Sequence, residues 1–310
     1  MINVENHRGI KDGNMRNPHA RREDPLDQRI KNLIREQAFS TEGGREMFAR
    51  SRQLLVDYFK SSLSALADPV AIHDITQVLL HELAKATNSR IVDGEENLKD
   101  VRKESPFFVI SNHYSGYKLM DIEQTELGLD LEEIDDVVPF PFFYAPIAPV
   151  ADRLGDLLYD AHLELPGSLG KIQEEAGLLV VPKDDGSFGA IRSRTQKIFS
   201  RRSNSMVVIF SEGETSGKRN KGGPYDLVEF HGGSFAIAEE LGIQVLPVCQ
   251  YFNPKSGFEV GILPPLNFVN PPEAKVENKD ARIEYFDNIA QQTREKMQSW
   301  LNTRKAGITV

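Results

Sequence analysis

The amino-acid sequence predicts an α/β fold, in which helices flank a mostly parallel sheet and a helical segment precedes it. Two observations predict this fold. From about residue 90, short apolar runs alternate with helical ones, and the apolar runs are SRIVDG, PFFVISN, GLLVVP, SMVVIF, IQVLPVCQY and FEVGIL. Such alternation is typical of parallel strands joined by helices. Before residue 90, apolar residues recur every three or four positions, as in amphipathic helices.

The sequence divides into three regions. Residues 1–24 are polar and without hydrophobic periodicity, so we expect a flexible tail. Residues 25–89 carry three helical patterns, of which the first and third open on Asp-Pro, a cap and a first-turn residue. Residues 90–310 form the predicted α/β domain, with further helices in GAIRSRTQKIFSRR, HGGSFAIAEEL and the C-terminal segment.

Composition argues against several classes of protein. The formal net charge is −9, so nucleic acid is not expected as a partner. The N-terminus lacks the apolar core of a secretory signal, and no run approaches about 18 apolar residues. We therefore expect a cytoplasmic protein that is at most peripheral to a membrane. The single cysteine, Cys249, lies in an apolar run and is predicted to be buried and not nucleophilic.

The first candidate site is the segment SNHYSG, which directly follows the apolar strand 107–110. Ligands of open α/β sheets bind at the carboxyl ends of strands, so Asn112 and His113 are well placed to meet a substrate. A helix-capping or hydrogen-bonded structural histidine fits the position of His113 equally well.

A second polar turn, SEGETSGKRNKGG, follows the strand 206–210. Glu212 is predicted to project from the strand end, and the amides around Gly213 and Ser216 could hold an anion. Three cations follow in the turn: Lys218, Arg219 and Lys221. A solvated basic loop is the alternative interpretation.

A third segment is rich in positive charge although the whole chain is acidic. Lys183 follows a strand, and the helical stretch after it contains Arg192, Arg194, Lys197, Arg201 and Arg202 with no acidic residue among them. This local excess of positive charge indicates a binding site for a phosphate or an acidic carrier protein. For Arg201 and Arg202, a solvated helix face remains the alternative.

Other catalytic patterns are missing from the sequence. The seven histidines show no zinc-ligand spacing, there is no Gly-x-Ser-x-Gly elbow, and there is no dinucleotide-binding loop. We therefore expect neither a metal nor a cofactor.

Taken in order, residues 90–265 resemble the glycerolipid acyltransferase superfamily, which includes glycerol-phosphate and lysophosphatidate acyltransferases. FFVISNHYSG resembles the Asn-His-x-Ser start of the first family motif, and RIVDGEENL resembles the strand before it. GLLVVPKDDG, VIFSEGETSGK and VLPVCQY are similar to the second, third and fourth blocks.

The resemblance implies transfer of a fatty acyl group from acyl carrier protein or acyl-CoA to a hydroxyl of a phosphorylated or polar acceptor. It assigns the general base to His113. It also implies that the apolar segment 137–150 lines an acyl channel, although a buried loop is an equal alternative. The residues implied to bind substrate are Asn112, Ser115, Lys183, Arg192, Glu212, Gly213, Ser216, Lys218 and Arg219.

The sequence departs from the family pattern at Lys118, where the family has the aspartate that orients the histidine. Asp121 is the nearest downstream carboxylate and is expected to take over that role. The alternative function is a catalytically impaired protein that binds acyl chains, a carrier protein or another partner. A hydrolase is a third possibility.

Overall fold

The computed structural model describes residues 25–65, 67–102, 105–114, 122–123, 136–137, 144–154, 157–161, 172, 178–180, 188–201, 206–213, 216–217, 220–268 and 279–307. The helices in these ranges are α1 (Pro25–Ala38), α2 (Glu42–Ser64), α3 (Pro69–Ala86), α4 (Ala148–Leu154), α5 (Phe188–Arg201), α6 (Gly233–Leu241) and α7 (Lys279–Ala306). Short 3₁₀ helices occupy Glu95–Asp100 and Ala145–Ile147.

The strands are β1 (Arg90–Asp93), β2 (Phe107–Ser111), β3 (Ile122–Glu123), β4 (Asp136–Val137), β5 (Leu157–Ala161), β6 (Leu178–Val180), β7 (Met206–Ile209), β8 (Gln244–Asn253), β9 (Gly257–Ile262) and β10 (Leu266–Asn267). The main sheet has the order β1-β9-β8-β2-β7-β5-β6, and β10 also pairs with β8. The five strands from β8 to β6 are mutually parallel. Strand β9 is antiparallel to β8, and β3 and β4 form a separate two-stranded sheet. The predicted mostly parallel α/β fold with an N-terminal helical segment is confirmed.

Capping residues set the starts of the N-terminal helices. The carboxylate of Asp68 accepts hydrogen bonds from the amides of Val70 and Ala71, both at 3.1 Å, and Pro69 occupies the first turn of α3. Such side chains satisfy amides that have no partner inside the helix. The predicted Asp-Pro start of α3 is thus confirmed.

The N-terminal helices pack on the sheet. Ile30, Phe48 and Phe59 are buried in the same core as the strands. The ring of Phe48 on α2 lies 5.2 Å from that of Phe252 at the end of β8, edge to face. Helix α2 therefore buries part of its apolar face against the C-terminal end of β8.

The central strands are covered on both faces. Every residue of β2 and β7 is buried, as expected for the interior of a parallel sheet with helices on both sides. Helices α6 and α7 pack on β8, and α3 packs against the helical segment 145–154. Among the described residues, no helix combines the length and apolar character needed to cross a membrane.

Strand β5 was not among the predicted strands. Its sequence, LLYDA, places two leucines together and an aspartate within the strand, so it shows little of the alternation that marks strands. Pairing with β7 on one side and β6 on the other determines its conformation.

The register of β2 sets the position of the candidate site. Ile110 of β2 pairs with Ile209 of β7 and with Pro247 of β8. Strands β2 and β7 therefore end at the same edge of the sheet, and the polar residues after them come together there.

Candidate functional site

The segments after β2 and β7 are joined by a direct hydrogen bond. The amide of His113 donates to Oε1 of Glu212 at 3.1 Å, although the two residues are 99 positions apart in the sequence. Strands β2 and β7 thus bring His113 and Glu212 into contact at the same edge of the sheet.

The carboxylate of Glu212 is fully buried and ties three segments together. Its Oε1 also accepts from the hydroxyl of Ser216 at 2.6 Å, and its Oε2 accepts from the amide of Val228 at 3.0 Å. The amide of Ser216 in turn donates to the carbonyl of His113 at 3.1 Å. Hydrogen bonds of this kind compensate for removing a carboxylate from water. Both carboxylate oxygens of Glu212 therefore accept hydrogen bonds from other groups of the protein.

Asn112 prolongs the pairing of β2 with β8. Its Nδ2 donates to the carbonyl of Gln250 at 3.0 Å, and its Oδ1 accepts from the amide of Gln250 at 2.8 Å. The side chain of Gln250 returns a bond to the carbonyl of Asn112 at 2.8 Å. Asn112 is fully buried, so its amide contacts β8 and holds the chain just before His113.

The residue after His113 is anchored in an aromatic cluster. The ring of Tyr114 stacks on that of Tyr225 at 5.4 Å, and the Tyr225 hydroxyl donates to the carbonyl of Phe252 at 3.2 Å. Burial raises the pKa of Tyr114 well above its usual range, which leaves the phenol neutral. The residues before and after His113 are therefore both buried, while His113 itself is half-buried.

The ring of His113 contacts that of Phe210, with centroids 4.4 Å apart. Phe210 also lies 5.4 Å from the ring of Tyr144. Tyr144 opens the described part of the predicted acyl channel, in which Ala145 and Ile147 are buried in the core. This apolar segment thus reaches the immediate surroundings of His113, and residues 138–143 of it lie outside the described residues.

A second histidine lies beside the Glu212–Gly213 turn. Gly213 has a left-handed φ of 65°, and a Cβ at this position would lie 3.4 Å from the His231 ring. The amide of His231 donates to the carbonyl of Ser211 at 2.9 Å, and its side chain is exposed. No local pattern in the sequence marks His231 as a site residue, because only the turn after β7 brings it to the site.

Arg192 lies away from this cluster. Its guanidinium donates to Glu240 at 2.7 Å, near the C-terminal end of α6. Ser234, at the other end of α6, contacts Ser211 at 3.1 Å. Ser234 and Glu240 are six positions apart along the helix, a distance of about 9 Å. The expected role of Arg192 in binding the acceptor stays a prediction, and in this structure its guanidinium pairs with an acidic partner on α6.

The other predicted site residues lie outside the described residues and stay predictions. They are Ser115, Asp121, Lys183, Lys218 and Arg219, and Lys118, where the sequence departs from the family pattern, also lies outside the described residues.

Comparison with known proteins gives a distant likeness. No family model matches the chain, and no curated protein matches it. A solved structure, the 1-acyl-sn-glycerophosphate (LPA) acyltransferase PlsC from Thermotoga maritima, is similar with a TM-score of 0.40 and 14% sequence identity. The match covers 79% of this chain and 97% of that one.

Proposed function

We propose that the protein transfers a fatty acyl group from a thioester to a hydroxyl of a phosphorylated or polar acceptor. The observation that carries the proposal is the bond between the His113 amide and Glu212. It unites the two motifs whose sequences most resemble the glycerolipid acyltransferases into one buried unit at the strand ends, where α/β proteins bind ligands.

In the proposed reaction, His113 acts as the general base. Its imidazole removes the proton of the acceptor hydroxyl while the oxygen attacks the carbonyl carbon of the thioester. The carbon–sulfur bond of the resulting tetrahedral intermediate then breaks, and the departing thiolate takes the proton from the imidazolium. No metal or cofactor is required, and the donor is acyl carrier protein or coenzyme A carrying the acyl chain.

Glu212 is proposed to position His113. Its bonds to the His113 amide and to Ser216 fix the backbone on which the imidazole stands. A base must be held in place to be effective, because small displacements lower the rate strongly. Contact between Glu212 and the acceptor is less compatible with a carboxylate whose two oxygens already accept protein donors.

The acceptor is proposed to bind over the Gly213 turn. His231 is exposed there, and Lys183, Lys218 and Arg219 are expected to supply positive charge for a phosphate. Asp121 remains the carboxylate proposed to orient His113 in place of the family's aspartate.

The proposal is tested by measuring acyl transfer from carrier-protein and coenzyme A thioesters to glycerol-phosphate, lysophosphatidate and amine acceptors. His113→Ala should lower the rate by about 10²- to 10⁴-fold, the usual contribution of a positioned base. His81→Ala, a change of an exposed histidine on α3, is the matched control and should keep the parent rate. Absence of transfer in both the parent and Lys118→Asp, with either thioester, would indicate a non-catalytic binding protein.

A further inference from the structure

The guanidinium of Arg29 on α1 bridges two backbone carbonyls of the segment that follows Ser216. Its Nη1 donates to the carbonyl of Gly222 at 2.8 Å, and its Nη2 donates to that of Gly217 at 3.2 Å. The two carbonyls are five residues apart, and Arg29 is more than 180 residues from both in the sequence. One planar fork thus draws the two ends of the segment together.

Two described residues of this segment have left-handed backbone conformations. Gly217 has a φ of 76°, and a Cβ at this position would lie 2.0 Å from the carbonyl oxygen of Gly223. Lys221 has a φ of 57°, a left-handed conformation that is unfavourable for a residue with a side chain. Such conformations persist where the surrounding structure fixes them, and Arg29 supplies contacts that do so.

The segment leads directly to the base. Ser216 precedes Gly217, and its amide and hydroxyl bond to His113 and Glu212 at 3.1 and 2.6 Å. A displacement of the Gly217 carbonyl therefore moves a residue that contacts both His113 and Glu212. The same turn carries the lysines and arginine expected to meet the acceptor phosphate.

We propose that Arg29 is a positioning residue of the acyl-transfer site, which holds the turn after Ser216 in the conformation that binds the acceptor. This inference rests on the proposed function. It makes helix α1 a part of the site, although α1 belongs to the N-terminal helical segment. The cations expected to meet the acceptor lie in this turn, so the effect of Arg29 should fall on the acceptor more than on the donor.

The experiment compares Arg29→Gln and Arg29→Lys with Arg35→Gln, a change of an exposed arginine on the same helix. Hydrogen–deuterium exchange of peptides covering 216–228 is measured together with KM for acceptor and donor. Arg29→Gln should raise local exchange and the acceptor KM by about tenfold or more, as expected for losing charged hydrogen bonds. The donor KM should change by less than about twofold.

Arg29→Lys tests the bridging geometry. One ammonium is a compact charge and does not reproduce a planar fork with two separate Nη donors, so it should restore only part of the acceptor KM. Full restoration by Arg29→Lys would overturn the proposal, as would unchanged exchange or an unchanged acceptor KM in Arg29→Gln. A parent protein without acyl transfer would contradict the proposed function, and the exchange data would then still decide whether Arg29 holds the turn.

Discussion

The side chain of Asn112 and the backbone of Gln250 exchange two hydrogen bonds, of 3.0 and 2.8 Å, one residue beyond the end of β2. The amide group of Asn112 thus acts as an additional rung between β2 and β8. Because both groups are fully buried, each bond replaces contacts with water that folding has removed.

Replacing Asn112 by aspartate should therefore lower the stability of the folded protein. The new carboxylate would face the Gln250 carbonyl with no proton to donate, and we expect a loss of at least about 2 kcal/mol in the free energy of unfolding. Urea titration at pH 7 measures the change. Asn302→Asp is the matched control, because Asn302 is exposed and accepts from Gln298 through an oxygen that aspartate retains. Equal stability of the two variants would contradict the role assigned to Asn112.

Glu212→Gln should lower both stability and acyl transfer. A glutamine supplies only one acceptor oxygen, so its NH₂ group would face either the amide of Val228 or the donors from His113 and Ser216. We expect a loss of about 1–3 kcal/mol in the free energy of unfolding. Glu229→Gln is the matched control, because it makes the same chemical change at an exposed residue. It should leave stability and acyl transfer near the parent values. Unchanged transfer by Glu212→Gln at a temperature where it stays folded would exclude a positioning role.

Asp226 should make the stability depend on pH in the acid range. Burial raises the pKa of Asp226, but the hydrogen bonds from Lys305 and the Gly223 amide and the charge of Arg29 outweigh it and lower this pKa. A carboxyl whose pKa is lowered on folding stabilises the protein above its unfolded pKa of about 3.9, and this contribution disappears as pH falls through the folded value.

The corresponding measurement follows the free energy of unfolding of the parent and Asp226→Asn between pH 7 and pH 2. The difference should stay constant down to about pH 5 and shrink below about pH 4. Its size should not exceed about 1 kcal/mol, because Lys305 and Asp226 are 37% and 36% exposed to solvent. Asp74→Asn, on the exposed face of α3, is the control. A difference that grows on acidification would contradict this account of Asp226.

Cys249 should be chemically inert in the native protein. It is fully buried on β8, and burial raises the pKa of its thiol well above the usual range, so little thiolate forms. A thiol reagent at pH 8 should modify it only after denaturant unfolds the chain. Cys249→Ala should accordingly retain acyl transfer below its melting temperature. Modification of the folded protein with loss of activity would point instead to a thiol nucleophile.

Much of the architecture follows from local pattern. The apolar runs that end abruptly at Asn112 and at Ser211 identified two strands and the polar turns after them, because a buried strand needs continuous apolar residues. The start of α3 at Asp68 and Pro69 also followed from the residues alone, because a helix cap depends on neighbouring positions. Both motifs could therefore be assigned to strand ends before their spatial relationship was known.

The partners of the site residues were decided only by the tertiary structure. From the sequence, Arg192 and Lys183 have the same expected role in binding substrate. In the structure, packing of α5 against α6 pairs Arg192 with Glu240. Likewise, nothing local connects Arg29 to Gly217, or places His231 beside Gly213. Such contacts depend on which strands are neighbours and on how the loops cross the sheet edge. Burial of the whole core determines both the strand order and the loop paths. Local periodicity determines where a strand or helix lies. The position of one side chain relative to another that is distant in the sequence is determined by the packing of all the elements between them.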